Sequence, residues 1–186
     1  MTTRAPTPRL GWALTGSGHY VQETLDLMKR MPKLDIFLSK AGDEVLRQYG
    51  KDLSGMQEGT RVFKDGAASA PPVGNFYKGH YHTLIVGPAT SNTVAKCVVG
   101  ISDTLPTNCF AQAGKCRVPT IVFACDTRPE MDTEAPSGWF KVYPRRVDLE
   151  NTERLREFDA TTVVETLSEL EEAVLARMAH IGETVS

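Results

Sequence analysis

The chain has 186 residues, 41% of them hydrophobic, and a formal net charge of −2 at pH 7. This length predicts one domain, residues 1–186, with a substantial core, and the small net charge provides no broad basic surface for nucleic acid. No apolar run approaches the roughly 20 residues of a membrane span, and residues 1–9 lack the apolar core of a signal peptide. We therefore expect a cytoplasmic protein that binds neither nucleic acid nor membrane.

Strand-like and helix-like segments alternate along the chain, starting with an apolar strand that ends in the turn Thr15-Gly16-Ser17-Gly18. In the first half, hydrophobic patterning predicts strands over residues 10–14, 33–38, 60–63 and 82–86. Helices are predicted over residues 19–30 and 41–49. Segment 67–74 is rich in small residues and proline, so we expect an exposed loop there.

The second half continues the alternation, with helices predicted over residues 93–99, 104–116 and 150–157. Strands or extended segments are predicted over residues 120–124, 139–143 and 162–164. Ser168-Glu169-Leu170-Glu171 has the pattern of a capping box and predicts the start of the last helix. This alternation predicts an α/β domain with a mostly parallel sheet.

Three polar turns follow predicted strands: residues 15–18, Ser39 and residues 90–93. The carboxyl ends of parallel strands meet at one edge of a sheet, so the turns should converge where α/β sheets bind ligands. The glycines of the first turn permit close backbone approach, and the start of the following helix offers free N–H groups to a phosphate. The turn is not GxGxxG and lacks the lysine of a P-loop, so it does not favour a dinucleotide or a nucleoside triphosphate.

The cysteines form no CxxC, and their spacing is typical of neither a zinc nor a redox motif. They are Cys97, Cys109, Cys116 and Cys125. An iron–sulfur site remains a weak alternative. Leu105, Cys109, Ala113 and Cys116 have helical spacing, so we interpret two of the cysteines as small apolar side chains on the buried face of a helix, and we expect no metal.

The turn at residues 90–93 belongs to a segment, Pro88-Ala89-Thr90-Ser91-Asn92-Thr93, that resembles the PASANT motif of the homo-oligomeric flavin-containing cysteine decarboxylase superfamily. The continuation GISDTLPTN, residues 100–108, and the early Thr15-Gly16-Ser17 resemble further motifs of that family, and the similarity covers roughly residues 10–126. The resemblance implies a flavodoxin-like (Rossmann-type) three-layer α/β sandwich, FMN as the cofactor, and a homo-oligomer built on trimers.

The resemblance also implies which residues bind FMN. Residues 90–93 would bond the isoalloxazine edge and the ribityl chain, whereas Thr15, Gly16, Ser17 and Ser39 would hold the phosphate end. The full implied set is Thr15, Gly16, Ser17, Ser39, Pro88, Ala89, Thr90, Ser91, Asn92, Thr93, Thr107 and Asn108. The alternative for the turn is a capped helix with surplus surface hydroxyls.

The chain departs from the decarboxylase branch, which carries a PxMNxxMW substrate clamp where this sequence reads Ala124-Cys125-Asp126-Thr127. It most resembles the archaeoflavoprotein group, which includes dihydromethanopterin reductase. The implied activity is an FMN-dependent reduction of a dihydropterin, with dihydromethanopterin giving tetrahydromethanopterin. The alternatives are an FMN electron-transfer protein fed by a ferredoxin-like donor, a flavin carrier without a substrate, or a decarboxylase relative. The electron donor is open between NAD(P)H and a ferredoxin-like protein, because no NAD(P) fingerprint is visible.

Candidates for the substrate side come from the residues before and after this region. His82, ahead of His80, is our candidate for a proton donor, because it is closer to the strand that leads to Pro88. Phe76, Tyr77 and Tyr81 could stack on a planar pterin or belong to the core. Arg145 and Arg146 could bind an acidic tail or form a solvated surface.

Overall fold

The computed structural model describes residues 8–66 and 70–185, and its centre is a six-stranded parallel sheet. The strands are β1 (Arg9–Leu14), β2 (Leu34–Leu38), β3 (Arg61–Lys64), β4 (Tyr81–Ala89), β5 (Thr120–Ala124), β6 (Met131–Ala135), β7 (Gly138–Val142) and β8 (Thr161–Val164). The order across the sheet is β3-β2-β1-β4-β5-β8, while β6 and β7 form a separate antiparallel hairpin. The order reverses between β1 and β4, so the sheet is doubly wound.

Helices cover both faces of this sheet. They are α1 (Val21–Lys29), α2 (Lys40–Gln48), a 3₁₀ helix (Pro71–Asn75), α3 (Ser91–Val99), α4 (Leu105–Lys115), α5 (Arg146–Arg156) and α6 (Leu167–His180). Leu10, Trp12 and Leu14 belong to one core cluster with α1 and α6, whereas Ala13 belongs to a second cluster with α3 and α4. The predicted three-layer α/β fold is therefore confirmed. In the described part of the chain, no helix is both long and apolar enough to cross a bilayer.

A buried carboxylate network joins strands at the amino edge of the sheet. Asp35 of β2 is fully buried. Its Oδ1 accepts hydrogen bonds from Arg9 Nε at 2.7 Å and Arg61 Nε at 2.8 Å, and its Oδ2 accepts one from the Tyr81 hydroxyl at 2.7 Å. These partners come from β1, β3 and β4, so one carboxylate connects most of this half of the sheet.

The structure corrects two predictions about local elements, the loop at residues 67–74 and the capping box of the last helix. Residues 67–69 lie outside the described residues, and the rest of the predicted exposed loop contains the 3₁₀ helix with buried Val73. The capping box of the last helix consists of Thr166 and Glu169, because the Thr166 hydroxyl accepts the Glu169 N–H at 3.2 Å. Ser168 lies inside that helix and donates to Glu172.

The extended segment predicted over residues 139–143 is β7, but its partner β6 was missed. The sequence of β6, Met-Asp-Thr-Glu-Ala, has little apolar content, and each of its residues is at least partly exposed. Helix α5 begins at Arg146, four positions before the predicted start at residue 150. Helix α1 begins at Val21, because Tyr20 at its amino end has a left-handed φ of 62°.

Candidate functional site

A cavity of about 750 Å³ opens at the carboxyl edge of the sheet. Its walls come from the turns after β1, β2, β3 and β4 and from the start of α4. The lining residues are Thr15, Gly16, Ser39, Lys40, Ala41, Asp65, Gly66, Thr90, Asn92, Thr93, Asp103, Thr104, Pro106 and Asn108. The cavity therefore lies at the switch point between β1 and β4, which is where doubly wound sheets bind ligands. Residues of the three polar turns therefore line one cavity, so the predicted convergence of these turns is confirmed.

Three helices begin at this cavity, and the N-cap residue of each lines it. Ser39 Oγ accepts the Gly42 N–H at 2.9 Å for α2, Thr90 Oγ1 accepts the Thr93 N–H at 3.2 Å for α3, and Thr104 Oγ1 accepts the Thr107 N–H at 3.3 Å for α4. The positive ends of three helix dipoles thus converge on one space. This arrangement favours an anionic ligand, above all a phosphate.

The charged side chains around the cavity are few. Lys40 is the only cation among the described lining residues. Asp65 Oδ2 accepts the Leu105 N–H at 3.1 Å, so this carboxylate stabilises the start of α4. Asp103 pairs with Lys96 at 2.8 Å, and this hydrogen bond lowers the pKa of the Asp103 carboxyl. The carboxylates are therefore engaged by the protein, whereas Lys40 is available to a ligand.

Close packing brings the turns after β1 and β2 together. A Cβ on Gly16 would lie 2.7 Å from Ala41 Cβ, so only glycine allows the first turn to rest on the start of α2. Thr15 donates its hydroxyl hydrogen to the Pro88 carbonyl and so ties the same turn to the end of β4. The peptide bond between Gly87 and Pro88 is cis.

The structure brings together many of the predicted cofactor residues and separates others. Thr15, Gly16, Ser39, Thr90, Asn92, Thr93 and Asn108 line the cavity, whereas Ser17, Pro88, Ala89, Ser91 and Thr107 do not. Ala89 and Thr107 are buried in the interior. Ser17 is buried too, and its hydroxyl donates to Cys125 Sγ at 3.3 Å.

Sequence reasoning missed several lining residues: Lys40, Ala41, Asp65, Gly66, Asp103, Thr104 and Pro106. Asp65-Gly66 is a turn dipeptide directly after β3, and that signal could have added a fourth turn to the rim. Thr104 followed by Thr107 is a cap pattern that could have placed the start of α4.

The placement of His82 does not support its predicted role in proton transfer. His82 lies at the amino end of β4, and the cavity lies beyond Ala89 at the other end of that strand, roughly 20 Å away at ~3.3 Å per residue. Its Nδ1 is 2.9 Å from Thr83 Oγ1. Burial, with Arg177 nearby, lowers the pKa of His82 to about 4. His80 precedes the same end of β4, where its carbonyl accepts the Arg9 N–H.

The other substrate-side candidates also lie away from the cavity walls. Phe76 and Tyr81 are buried in the core, where both rings contact Phe37, so their role is packing. Tyr77 is exposed and donates its hydroxyl hydrogen to Gln112 Oε1 at 2.6 Å. Arg145 pairs with Asp148, and Arg146 pairs with Glu150, both within the first turns of α5.

The segment at the position of the decarboxylase clamp has a structural role here. Cys125 is buried, and burial raises the pKa of its thiol to about 12, so it stays protonated at neutral pH. Asp126 Oδ2 accepts the Ser91 N–H at 3.1 Å and so supports the start of α3. Cys109 is fully buried on α4, and Cys116 at the end of that helix is partly buried against the core, as the helical spacing predicted. Across residues 8–66 and 70–185, no three His, Cys, Asp or Glu side chains are grouped so as to hold a metal.

Comparison with known proteins shows what this chain is similar to. A sequence model of the Flavoprotein family matches residues 2–186. A dihydromethanopterin reductase (acceptor) from Methanosarcina mazei is 38% identical over 141 residues, which are 69% of this chain and 59% of that protein. The chain therefore spans about three fifths of the length of that relative.

Solved structures agree on the fold. DmrB from Burkholderia xenovorans, crystallised with FMN and described as a cubic protein cage for redox transfer, superposes with a TM-score of 0.86 at 49% identity, covering 96% of this chain and 99% of DmrB. A phenylacrylic acid decarboxylase from Aquifex aeolicus, with a TM-score of 0.64 and 19% identity over 94% of this chain and 96% of its own, shares the fold.

Proposed function

The chain belongs to the Flavoprotein family, and from this we propose that it is an FMN-dependent oxidoreductase that passes electrons from the reduced flavin to a dihydropterin. The observation that carries the proposal is the cavity at the switch point, with three helix N-termini and the cation Lys40 around it. Dihydromethanopterin is the substrate we favour, because a relative of that activity is 38% identical over 69% of this chain.

The residues around the cavity fit FMN in size and chemistry. A cavity of about 750 Å³ falls in the range of small-molecule and cofactor sites. The Ser39 oxygen accepts a backbone N–H in its cap, which leaves its hydroxyl hydrogen to be donated to a phosphate. Together with Lys40 and the backbone of Gly16, it forms the end of the cavity best suited to a dianion.

The lining residues at the starts of α3 and α4 suit the ring and the ribityl chain. Asn92 lines the cavity, and in the described structure its side chain makes no hydrogen bond with the protein, so its amide can both donate and accept. Thr90 and Thr93 share a hydroxyl contact of 3.1 Å, and Asn108 reaches the cavity from α4. FMN supplies hydride transfer, and the residues of this chain bind it, orient it and fix the polarity around it.

The cofactor is tested first by colour and stoichiometry. Purified protein should contain, or take up from solution, about one non-covalent FMN per chain, because the cavity at the switch point would hold one cofactor. Denaturation should release the flavin, and its absorbance gives the ratio. Colourless protein that fails to take up added FMN would contradict the proposal.

The acceptor is tested by stopped-flow mixing. The FMN-loaded protein, reduced chemically without oxygen, should be reoxidised by dihydromethanopterin, with tetrahydromethanopterin as the product. FMN binding without any reoxidation by the pterin would contradict the proposed reductase activity. If a ferredoxin-like protein exchanged electrons with the bound flavin instead, the chain would be an electron-transfer protein. Reduction of the flavin by NADPH or by reduced ferredoxin in the same instrument identifies the donor.

A further inference from the structure

The β6–β7 hairpin lies outside the main sheet, so contacts other than sheet hydrogen bonds must fix its position. An isolated two-stranded hairpin is marginally stable in water. Two large aromatic side chains of β7 are exposed, Trp139 to 64% and Phe140 to 50%, so hydrophobic burial contributes little to anchoring this strand. Polar contacts between the hairpin and the rest of the chain are therefore important for holding the hairpin in position.

Two of these contacts bind the backbone of Glu134 in β6. Its N–H donates to Nδ1 of His19 at 3.2 Å, and its carbonyl accepts the Tyr49 hydroxyl at 3.0 Å. His19 directly follows the turn after β1, and Tyr49 ends α2. A Cβ on Gly18 would lie 1.9 Å from the Tyr49 hydroxyl oxygen, so the tyrosine crosses directly over that turn. The hairpin is thus fastened to the turn that lines the cofactor cavity.

The hydrogen bond from Glu134 fixes the protonation of His19. A ring nitrogen that accepts an N–H carries no proton, so the neutral imidazole has its proton on Nε2. The His19 side chain is 5% exposed, and its Nε2 has no hydrogen-bond partner in the described structure. A second proton would have to enter at Nδ1, where it would face the Glu134 N–H donor. Protonation therefore replaces an attraction with a contact between two donors.

The charges around His19 come from three elements. Glu23 lies on α1, Glu134 on β6 and Asp126 in the loop after β5, and all three carboxylates favour the imidazolium. Burial opposes them and is the larger effect, so the pKa of His19 is lowered from its usual value of 6.5. Tyr20, which contacts the imidazole ring, and Tyr49 are phenols whose pKa values are raised by burial, so they stay uncharged.

We propose that His19 is a positioning residue for the hairpin: the neutral imidazole holds β6 against the turn after β1, and protonation releases it. Residues 130–132 of the hairpin segment, with Tyr20 and Arg128, also wall a second cavity of about 330 Å³ at this rim. Release would therefore reshape the surface beside the cofactor turn. The inference does not depend on the identity of the cofactor or of the electron acceptor.

Tryptophan fluorescence tests the proposal on the full chain without added flavin. The chain has 2 tryptophans, Trp12 and Trp139. Trp12 is fully buried, whereas Trp139 contacts the His19 ring edge-on at 5.7 Å. We expect a reversible change in emission with a midpoint below pH 6.5. The variant Trp139→Phe supplies the Trp12 baseline. His19→Gln keeps an acceptor for the Glu134 N–H but cannot titrate, so it should lose the change, and His82→Gln should retain it.

Hydrogen exchange of the wild-type protein provides a second measurement that needs no variant. The Glu134 amide should lose its protection across the same pH interval in which Trp139 responds, while amides of the central strand β4 stay protected. A fluorescence change that persists in His19→Gln, or disappears in His82→Gln, would overturn the assignment to His19. Constant protection of the Glu134 amide through the transition would show that the imidazole titrates without releasing the hairpin, and would overturn the proposal.

Discussion

The hydroxyl-rich run at residues 90–93 shows how neighbouring side chains divide their roles. Thr90 caps α3, and Thr93 contacts the Thr90 hydroxyl at 3.1 Å, so both are partly committed to the helix start. The Ser91 backbone N–H is bound by Asp126, and its side chain does not line the cavity. Asn92 lines the cavity and is not committed to the protein. The surplus of polar residues over one cap is therefore explained mainly by Asn92.

Replacing Asn92 should weaken FMN binding selectively. Asn92→Ala removes a donor and an acceptor from the cavity wall, and we expect a loss of ~1–3 kcal/mol in binding free energy, because the ligand group it served is left unpaired. Ser91→Ala is the matched control and should change the affinity little. Flavin titration followed by fluorescence measures both variants. Equal affinities of Asn92→Ala and wild type would show that the amide does not contact the flavin.

His82 should affect stability rather than catalysis. Burial lowers its pKa to about 4 in the folded protein, whereas the unfolded chain titrates near 6.5. The folded state therefore binds fewer protons than the unfolded state between these values, and stability falls as the pH drops from 6.5 towards 4.

His82→Gln should accordingly flatten the pH dependence of the unfolding free energy in this interval while leaving the flavin reoxidation rate unchanged. Urea unfolding at several pH values measures how the unfolding free energy changes with pH. Some of this dependence should remain in the variant, because burial lowers the pKa of His19 as well. A slower flavin reaction in His82→Gln would return the residue to the mechanism, for instance through a neighbouring subunit.

At the scale of elements, the contact between the turn after β1 and helix α2 sets the spacing of the cofactor cavity. Gly16→Ala should destabilise the protein by ~1–3 kcal/mol, the usual cost of overpacking, because the new Cβ meets Ala41 Cβ at 2.7 Å. Ala41→Gly removes the atom that is struck, so the double variant should recover much of the loss. Thermal unfolding of the four proteins forms a double-mutant cycle. Purely additive effects would contradict the packing described here.

The sequence predicted strands better than it predicted the boundaries and functions of the turns. β1, β2, β4 and β5 are buried nearly throughout, so each contains a short apolar run. β6 is polar and pairs only with β7, so its strand character depends on a partner that local patterning cannot show. The cavity turns after β1, β2 and β4 were found because polar or glycine residues there end an apolar run, whereas Asp65-Gly66 after β3 was missed. His82 was misplaced because proximity in sequence to Pro88 hides the length of β4.

For the whole molecule, we expect assembly into trimers or multiples of trimers with FMN near the interface. The expectation comes from the superfamily resemblance, and DmrB, which is described as a cubic cage, superposes over 96% of this chain. Val99 and Ile101 at the end of α3 are 56% and 48% exposed, which suits a surface that another copy covers. Light scattering coupled to size exclusion gives the mass in solution. A monomer that still binds FMN would contradict this expectation.

The buried carboxylate of Asp35 has a consequence for how the chain finds its fold. Strands that are apolar on both faces specify their register only weakly, since a shift by one residue exchanges one apolar side chain for another. A shift of β2 against β1 or β3 would instead carry Asp35 away from Arg9 and Arg61 and leave a charge buried without a partner. Such a state costs several kcal/mol. Asp35 therefore selects the register of β2 against its neighbours, because a sheet with β2 shifted by one residue would be less stable by that amount.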